Sequence, residues 1–189
     1  RLTMKPIFLL VLFSIAALGA EFHVDKSTDN EVRFISDAPL EAFEGVTNNI
    51  DGYVAWSNEA MIDSSEFYFE VDLTTLDTGI GLRNRHMRDN YLETDVHRYA
   101  TFAGRLSEVQ DADNDSLLVT AAGKFKIHGV EREMLIPVKV NKVGEDYTAN
   151  ARFTIALTDH KIKVPKLMFM KIDENMDVRI RVRLNKVKN

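Results

Sequence analysis

The chain contains no cysteine. That absence excludes a disulfide scaffold, thiolate metal sites, a cysteine nucleophile and an acylated lipoprotein-type cysteine. Positive charge is in the minority, with 24 Lys and Arg against 29 Asp and Glu, for a formal net charge of -5. Nucleic-acid-binding domains usually carry a basic face, so this balance points away from them. Low-complexity tracts and internal repeats are absent. Of the five histidines, His23, His86, His97, His128 and His160, none forms a His-x-His or His-Glu-x-x-His pair, so spacing predicts no metal site. No Gly-x-Ser-x-Gly elbow and no Gly-rich phosphate loop occurs. What remains is 45% hydrophobic and 28% charged. That is too apolar for disorder and too polar for a multi-span membrane protein.

Long apolar runs are also scarce. The single one, residues 7–18, is broken only by Ser14. Met4 and Lys5 precede it, and Gly19-Ala20 follow as small residues. This order reads as a secretory signal peptide over residues 1–20, with residues 1–3 upstream of the natural start. The run is short for a transmembrane span of roughly 20 residues. Residues 21–189 then form one exported domain, in the periplasm or outside the cell, with no membrane span of its own.

The domain alternates with period two, the signature of half-buried strands. Met176, Val178, Ile180, Val182 and Leu184 alternate with Asp177, Arg179, Arg181, Arg183 and Asn185. Successive strand side chains point to opposite faces, so one face is apolar and the other charged. Similar rows run Leu117-Val119-Ala121-Gly123-Phe125-Ile127, Val130-Met134-Ile136-Val138-Val140, Tyr147-Ala149-Ala151-Phe153-Ile155-Leu157 and Phe67-Phe69-Val71-Leu73. Val32 with Phe34, Ile50 with Val54 and Trp56, and residues 101–106 predict further strands. His128-Gly129 and Gly144-Glu145-Asp146 mark tight turns, hence antiparallel neighbours. Residues 79–92 break the pattern with a three-four spacing. They predict a short helix, capped by Asp77 or Thr78, with Met87 and Tyr91 on one side and Arg85 and Arg88 more exposed.

The expected class is therefore all-β: an antiparallel barrel of about 8–10 strands with one short helix. A sandwich also lets apolar faces cover one another, and the pattern leaves it open. An outer-membrane barrel would put its apolar face outward and crowd Arg179, Arg181 and Arg183 into a narrow lumen.

Several stretches carry a family resemblance in their order and spacing. These are Phe43-Glu44-Gly45-Val46-Thr47, Ile50-Asp51-Gly52-Tyr53-Val54, Asp72-Leu73 through Thr78-Gly79-Ile80, and Arg83-Asn84-Arg85-His86-Met87. Tyr91-Leu92-Glu93-Thr94, Ala100-Thr101-Phe102, Gly123-Lys124-Phe125-Lys126-Ile127-His128-Gly129-Val130 and Phe153-Thr154-Ile155 follow, then Asp159, Ile162 and Pro165. Together they resemble the YceI-like proteins over roughly residues 22–184. One departure is His97-Arg98, where that family usually has Tyr-Pro. The resemblance implies a lipocalin-like barrel around an elongated apolar tunnel, holding a polyisoprenoid-type amphiphile such as a prenyl lipid or an isoprenoid quinone. It implies no other cofactor and no nucleic-acid partner, and a homodimer is a state the sequence leaves open.

Inward apolar residues are ordinarily packing, and the resemblance turns them as a group into candidate tunnel wall. The candidates are Trp56, Phe67, Phe69, Met87, Tyr91, Phe125, Met134, Ile136, Phe153 and Ile155. Ala121, Gly123, Ala149 and Ala151 are expected to leave volume inside. Leu82, Met87 and Tyr91 are expected at one end of the tunnel. Arg83 and Arg85 are read first as a solvated helix face and second as contacts for a polar head group. An enzyme is the competing class. Its best candidates are the carboxylates Glu66, Glu70 and Asp72, which alternation places outside, and Asp159-His160, more simply a loop dipeptide. No catalytic residue is expected. A non-catalytic envelope module with a filled core is the remaining alternative.

Overall fold

The structure is a computed structural model, and it describes residues 19–36, 42–57, 61–112, 115–167 and 170–188. The signal-peptide expectation covers residues 1–20, of which 1–18 lie outside the described residues, and the first strand begins at Ala20, inside that expected segment.

Twelve strands are described. They are β1 (Ala20–Val24), β2 (Glu31–Ser36), β3 (Phe43–Thr47), β4 (Ile50–Trp56), β5 (Ser65–Asp72), β6 (Tyr99–Asp111), β7 (Ser116–Ile127), β8 (Val130–Val143), β9 (Asp146–Ala156), β10 (Lys166–Leu167), β11 (Met170–Lys171) and β12 (Asn175–Lys186). All but the β10–β11 hairpin join one antiparallel sheet in the order β1-β4-β5-β6-β7-β8-β9-β12-β2-β3. A further β1–β12 pairing, Phe22 to Lys186 through Val24 to Leu184, closes the sheet. This settles barrel against sandwich: eight strands close the ring. β12 pairs with β9 along one side, and with β2 and then β1 along the other. β1 and β2 thus behave as one interrupted stave, and so do β3 and β4, which pair with them in register.

The alternating rows decide which face turns in. Met176, Val178, Val182 and Leu184 of β12 are buried, while Arg179 and Arg181 are exposed. Outside, Arg33, Arg179 and Arg152 stand side by side across β2, β12 and β9. Like charges in register repel. Asp177 bridges Arg152 and Arg179 at 2.9 and 3.0 Å, and Glu31 and Glu44 pair with Arg33. An apolar interior under a charged exterior is the reverse of an outer-membrane barrel. No helix among the described residues is long and apolar enough to cross a membrane.

Tight turns join the long strands. His128 and Gly129 both have positive φ, +52° and +72°, as a two-residue type I′ hairpin requires. Helix α1 (Met61–Ser64) is a single turn before β5. Helix α2 (Gly81–His86) runs on into a π-helical turn, Met87–Leu92, so the predicted helix is present with a widened second half. Its predicted caps are not caps. The N-cap is Ile80, without a side-chain hydrogen bond. Asp77 and Thr78 instead bind Asn84 inside the helix. Arg88, expected to be exposed, is half-buried and donates to the Thr74 carbonyl at 2.6 Å.

Two further expectations change. Asp72, placed outside by alternation, is buried at the end of β5. The strand stops there, and Arg98 and Thr74 donate to its two carboxylate oxygens. Burial alone would raise its pKa, but these hydrogen bonds outweigh burial and hold the carboxyl below its ordinary range. Gly123 does not leave space inside the barrel. It pairs with Gly104 on β6, and a Cβ on Gly123 would come within 2.2 Å of the Ala103 carbonyl oxygen. The two glycines let β6 and β7 approach and bend just before the bulge between Leu106 and Glu108. Gly123→Ala is expected to lower stability by about 1–3 kcal/mol through this clash, read as a lower urea midpoint. An unchanged midpoint would show that the bend does not need glycine.

His160 is buried edge-on against Phe125, and its Nδ1 lies 3.2 Å from the Val130 carbonyl. Burial lowers its pKa below 6.5, the Val130 contact opposes this, and Arg132 adds to the lowering. A lowered histidine pKa means that the unfolded chain takes up the proton first on acidification. Stability is therefore full above about pH 6.5 and falls as the pH drops toward the folded-state value. Thermal melts from pH 7 to 5 should show a steeper loss for the wild type than for His160→Gln. Parallel curves would contradict this assignment.

Candidate ligand-binding tunnel

The inward rows enclose two adjoining apolar chambers. The wider, about 420 Å³, lies at the helix end of the barrel, and the narrower, about 180 Å³, at the other. Val71, Ala100, Phe125, Phe153 and Ile180 line both and so form a waist. At the waist the Phe125 and Phe153 rings meet edge to face with centroids 6.0 Å apart. The walls follow the two hydrophobic clusters of the core. One is built around Leu73, Leu157, Ile162 and Met176, the other around Phe22, Ile50, Val182 and Leu184.

The sequence candidates divide between the chambers. Met87, Tyr91 and Ile155 line the wide one, while Trp56, Phe67, Phe69 and Ile136 line the narrow one, and Phe125 and Phe153 stand between. Met134 lines neither. It sits opposite Gly123, where β6, β7 and β8 are drawn together, and packs half-buried against the cluster that contains Phe125. Ala121, Ala149 and Ala151 do line the narrow chamber. Sequence reasoning did not nominate Phe34, Phe43, Leu76, Ile162, Ile172 or Met176 as wall, though all line the wide chamber. Met176 belongs to a row that was legible. Phe43, Leu76, Ile162 and Ile172 sit in short strands or loops, where no alternation marks the inward side.

Polar groups are concentrated at the helix end. Arg83, His86 and the Tyr91 phenol line the wide chamber, and Ile80 and Leu82 form an exposed apolar rim there. Arg83 is held in place. Its Nε and Nη2 donate to the Thr78 hydroxyl and carbonyl at 2.9 and 2.7 Å, and its guanidinium lies 4.9 Å from the Phe43 ring centroid. Arg85 points away, exposed and outside the lining. Of the two arginines weighed for a head group, only Arg83 faces the chamber.

The helix is fastened over this end by Asn84. Its Oδ1 accepts from the Thr78 backbone N–H at 2.8 Å and from the Thr78 hydroxyl at 2.7 Å, while its Nδ2 donates to Asp77 Oδ1 at 2.7 Å. Asp77 is itself joined to β3 by a bridge to Val46. One buried amide thus links the helix to the sheet. The enzyme candidates show no such convergence. Glu66 is exposed, Glu70 accepts from the Tyr68 hydroxyl, and Asp72 is engaged by Arg98.

The chain matches the YceI-like domain over residues 22–184. Among solved structures it is similar to BcnA of Burkholderia cenocepacia, at 17% identity and a TM-score of 0.69, covering 85% of this chain and 98% of that one. A polyisoprenoid-binding domain from Saccharophagus degradans matches at 17% identity and a TM-score of 0.68, covering 89% and 99%. The Campylobacter jejuni YceI protein matches at 14% and 0.58, covering 76% and 85%. At these identities the likeness is one of fold. No curated protein matches the chain.

Asn84→Ala leaves the buried Thr78 N–H without its acceptor, a loss of about 1–3 kcal/mol. The expected result is a lower urea midpoint together with faster hydrogen exchange across residues 81–92. Unchanged exchange in that segment would show that the amide does not fasten the helix.

Proposed function

We propose that this chain, which belongs to the YceI-like family, binds one extended amphiphilic lipid of the polyisoprenoid type. The hydrocarbon tail passes the Phe125–Phe153 waist, and the polar head sits at the helix end beside Arg83, His86 and Tyr91. One observation carries this reading: two apolar chambers share a waist, and the polar lining of the wide one lies at the helix end. A hydrocarbon tail needs contact area rather than hydrogen bonds, and each methylene buried is worth about 0.8 kcal/mol. Methyl-branched isoprene units suit a wall of rings, branched side chains and the adaptable Met87 and Met176. The kinship of fold with a polyisoprenoid-binding domain supports the same ligand class.

The protein acts by binding rather than by catalysis. Glu66 is exposed, Glu70 is engaged by Tyr68 and Asp72 is buried at the strand end against Arg98, and general acid–base chemistry needs such groups within reach of a bound substrate. The wide chamber speaks against a barrel filled by its own side chains. Export through the segment of residues 1–20 places the protein where such lipids leave or enter a membrane, as a carrier, store or sensor.

The test is native mass spectrometry of the purified chain after incubation with a prenyl alcohol or an isoprenoid quinone. One lipid per chain is expected. Phe125→Trp at the waist, and separately Ala149→Trp in the narrow chamber, should each reduce occupancy by a long-chain lipid roughly tenfold, a loss of about 1.4 kcal/mol in binding. Circular dichroism must show both variants folded. Equal lipid content in the wild type and in folded variants would overturn the assignment of the tail to this path.

A further inference from the structure

Just beyond the π-helical turn, two side chains of one turn converge with a third from a distant hairpin. Glu93, His97 and His128 each place a potential ligand atom within 4.8 Å of the others. Glu93 and His97 come from one turn, closed by the His97 N–H donating to the Glu93 carbonyl at 2.8 Å. His128 comes from the β7–β8 hairpin. The His97 and His128 rings lie 4.9 Å apart. Gly129 allows that approach, because a Cβ there would stand 2.8 Å from His97 Cε1.

Both ring nitrogens of His128 face oxygens that accept hydrogen bonds. Its Nδ1 lies 3.1 Å from the His160 carbonyl oxygen, which can only accept. Its Nε2 lies 2.6 Å from Glu93 Oε2, an acceptor when ionised. A neutral imidazole has one N–H and cannot satisfy both. With one N–H on the ring, either the Nδ1 lone pair faces the carbonyl or the Nε2 lone pair faces the carboxylate. Either a second proton or a cation resolves this. A proton would need only Glu93 and His128, whereas the third group, His97, brings a further imidazole to the same point. An imidazole whose far nitrogen donates to a backbone carbonyl is also how metal-binding histidines are oriented.

We infer that Glu93, His97 and His128 form a divalent transition-metal site of the two-histidine, one-carboxylate type, suited to Zn²⁺. Tetrahedral zinc with ligands at 2.0–2.1 Å sets them about 3.3 Å apart. Glu93 Oε2 and His128 Nε2 stand closer than this, at 2.6 Å, so the ion would part them, and the Glu93 side chain, 56% exposed, has the freedom to move. The fourth position is open to solvent through that exposed side. The ion would tie the end of the helical segment to the β7–β8 hairpin and to the entry of β6, at the wide chamber's end of the barrel. The site stands apart from the lipid path, and its test does not depend on any lipid. Among the described residues, no other group of three or more His, Cys, Asp or Glu side chains has this arrangement.

The experiment uses the full chain without a histidine tag. Zn²⁺ is titrated calorimetrically, and Co²⁺ serves as a spectroscopic probe. One ion per chain, visible tetrahedral Co²⁺ bands and a Zn²⁺-dependent rise in thermal midpoint are expected. His97→Ala leaves the Glu93–His128 pair intact, and should weaken binding roughly tenfold or more and abolish the rise. Glu93→Gln tests the carboxylate in the same way. No uptake by the wild type, or uptake unchanged in His97→Ala, would overturn the site. The first result would leave a protonated ion pair, and the second would place the metal elsewhere, as at Glu21 and His23.

Discussion

Closure of the sheet between β1 and β12 is the constraint on which the rest of the molecule depends. An open sheet with one apolar face must be covered by a second layer, and among the described residues there is none. By bonding Phe22–Val24 to Leu184–Lys186 the sheet covers itself and pairs the edge of β1. β12 makes this work because it is long enough to hold β9 along one side and both halves of the first stave along the other. The stave is broken between β1 and β2, where the Asn30 side chain accepts from the Arg183 N–H and donates to the Asp25 carbonyl. That buried amide satisfies backbone groups that the interrupted ladder leaves unpaired.

A closed ladder also explains how the interior can hold space that the protein does not fill. Cavities in ordinary cores cost about 24 cal/mol per Å³, so a chamber of about 420 Å³ forgoes on the order of 10 kcal/mol. That is comparable with the whole stability of a typical domain. The barrel tolerates it because its strands are held to one another by backbone hydrogen bonds around the full ring, and not only through contacts across the middle. The same deficit would drive the binding proposed above. Any apolar chain that enters regains the contacts the walls lack, with little demand for polar partners.

How much of this was legible in the sequence follows from what alternation encodes. It assigns each side chain to a face, so the long rows of β7, β8, β9 and β12 and the charged exterior could be read directly. It does not say whether facing rows meet or stand apart. The two chambers and the waist at Phe125 were therefore beyond it, and Gly123 read as empty volume although it bends the sheet. Alternation fails where a strand ends, which is why Asp72 turned from an exposed carboxylate into a buried one held by Arg98. Short staves such as β1 and β3 carry too few residues to show a period. Glu93 and His128 are 35 residues apart. Only folding the hairpin back against the helix end brings them together, and no local spacing rule can register that.

The two ends of the barrel are held by different kinds of bond, and this gives the tunnel a direction. At the narrow end the wall is a continuous ladder in which β4 and β5 pair from Ile50–Val71 to Trp56–Ser65 and β1 closes on β12. Opening it means breaking many backbone bonds at once. At the wide end β5 has already stopped at Asp72, and β3 is linked onward by the Val46–Asp77 bridge and a Thr47–Thr75 hydroxyl pair. The wall there is completed by the helical segment, fastened through Asn84, Arg83 and Arg88 to Thr78, Asp77 and Thr74. A few side-chain bonds open at far lower cost than a ladder, and local opening follows the weakest cooperative unit. For the lipid proposed above, exchange would therefore proceed past the helix, beside the apolar rim of Ile80 and Leu82, while the closed sheet stays intact.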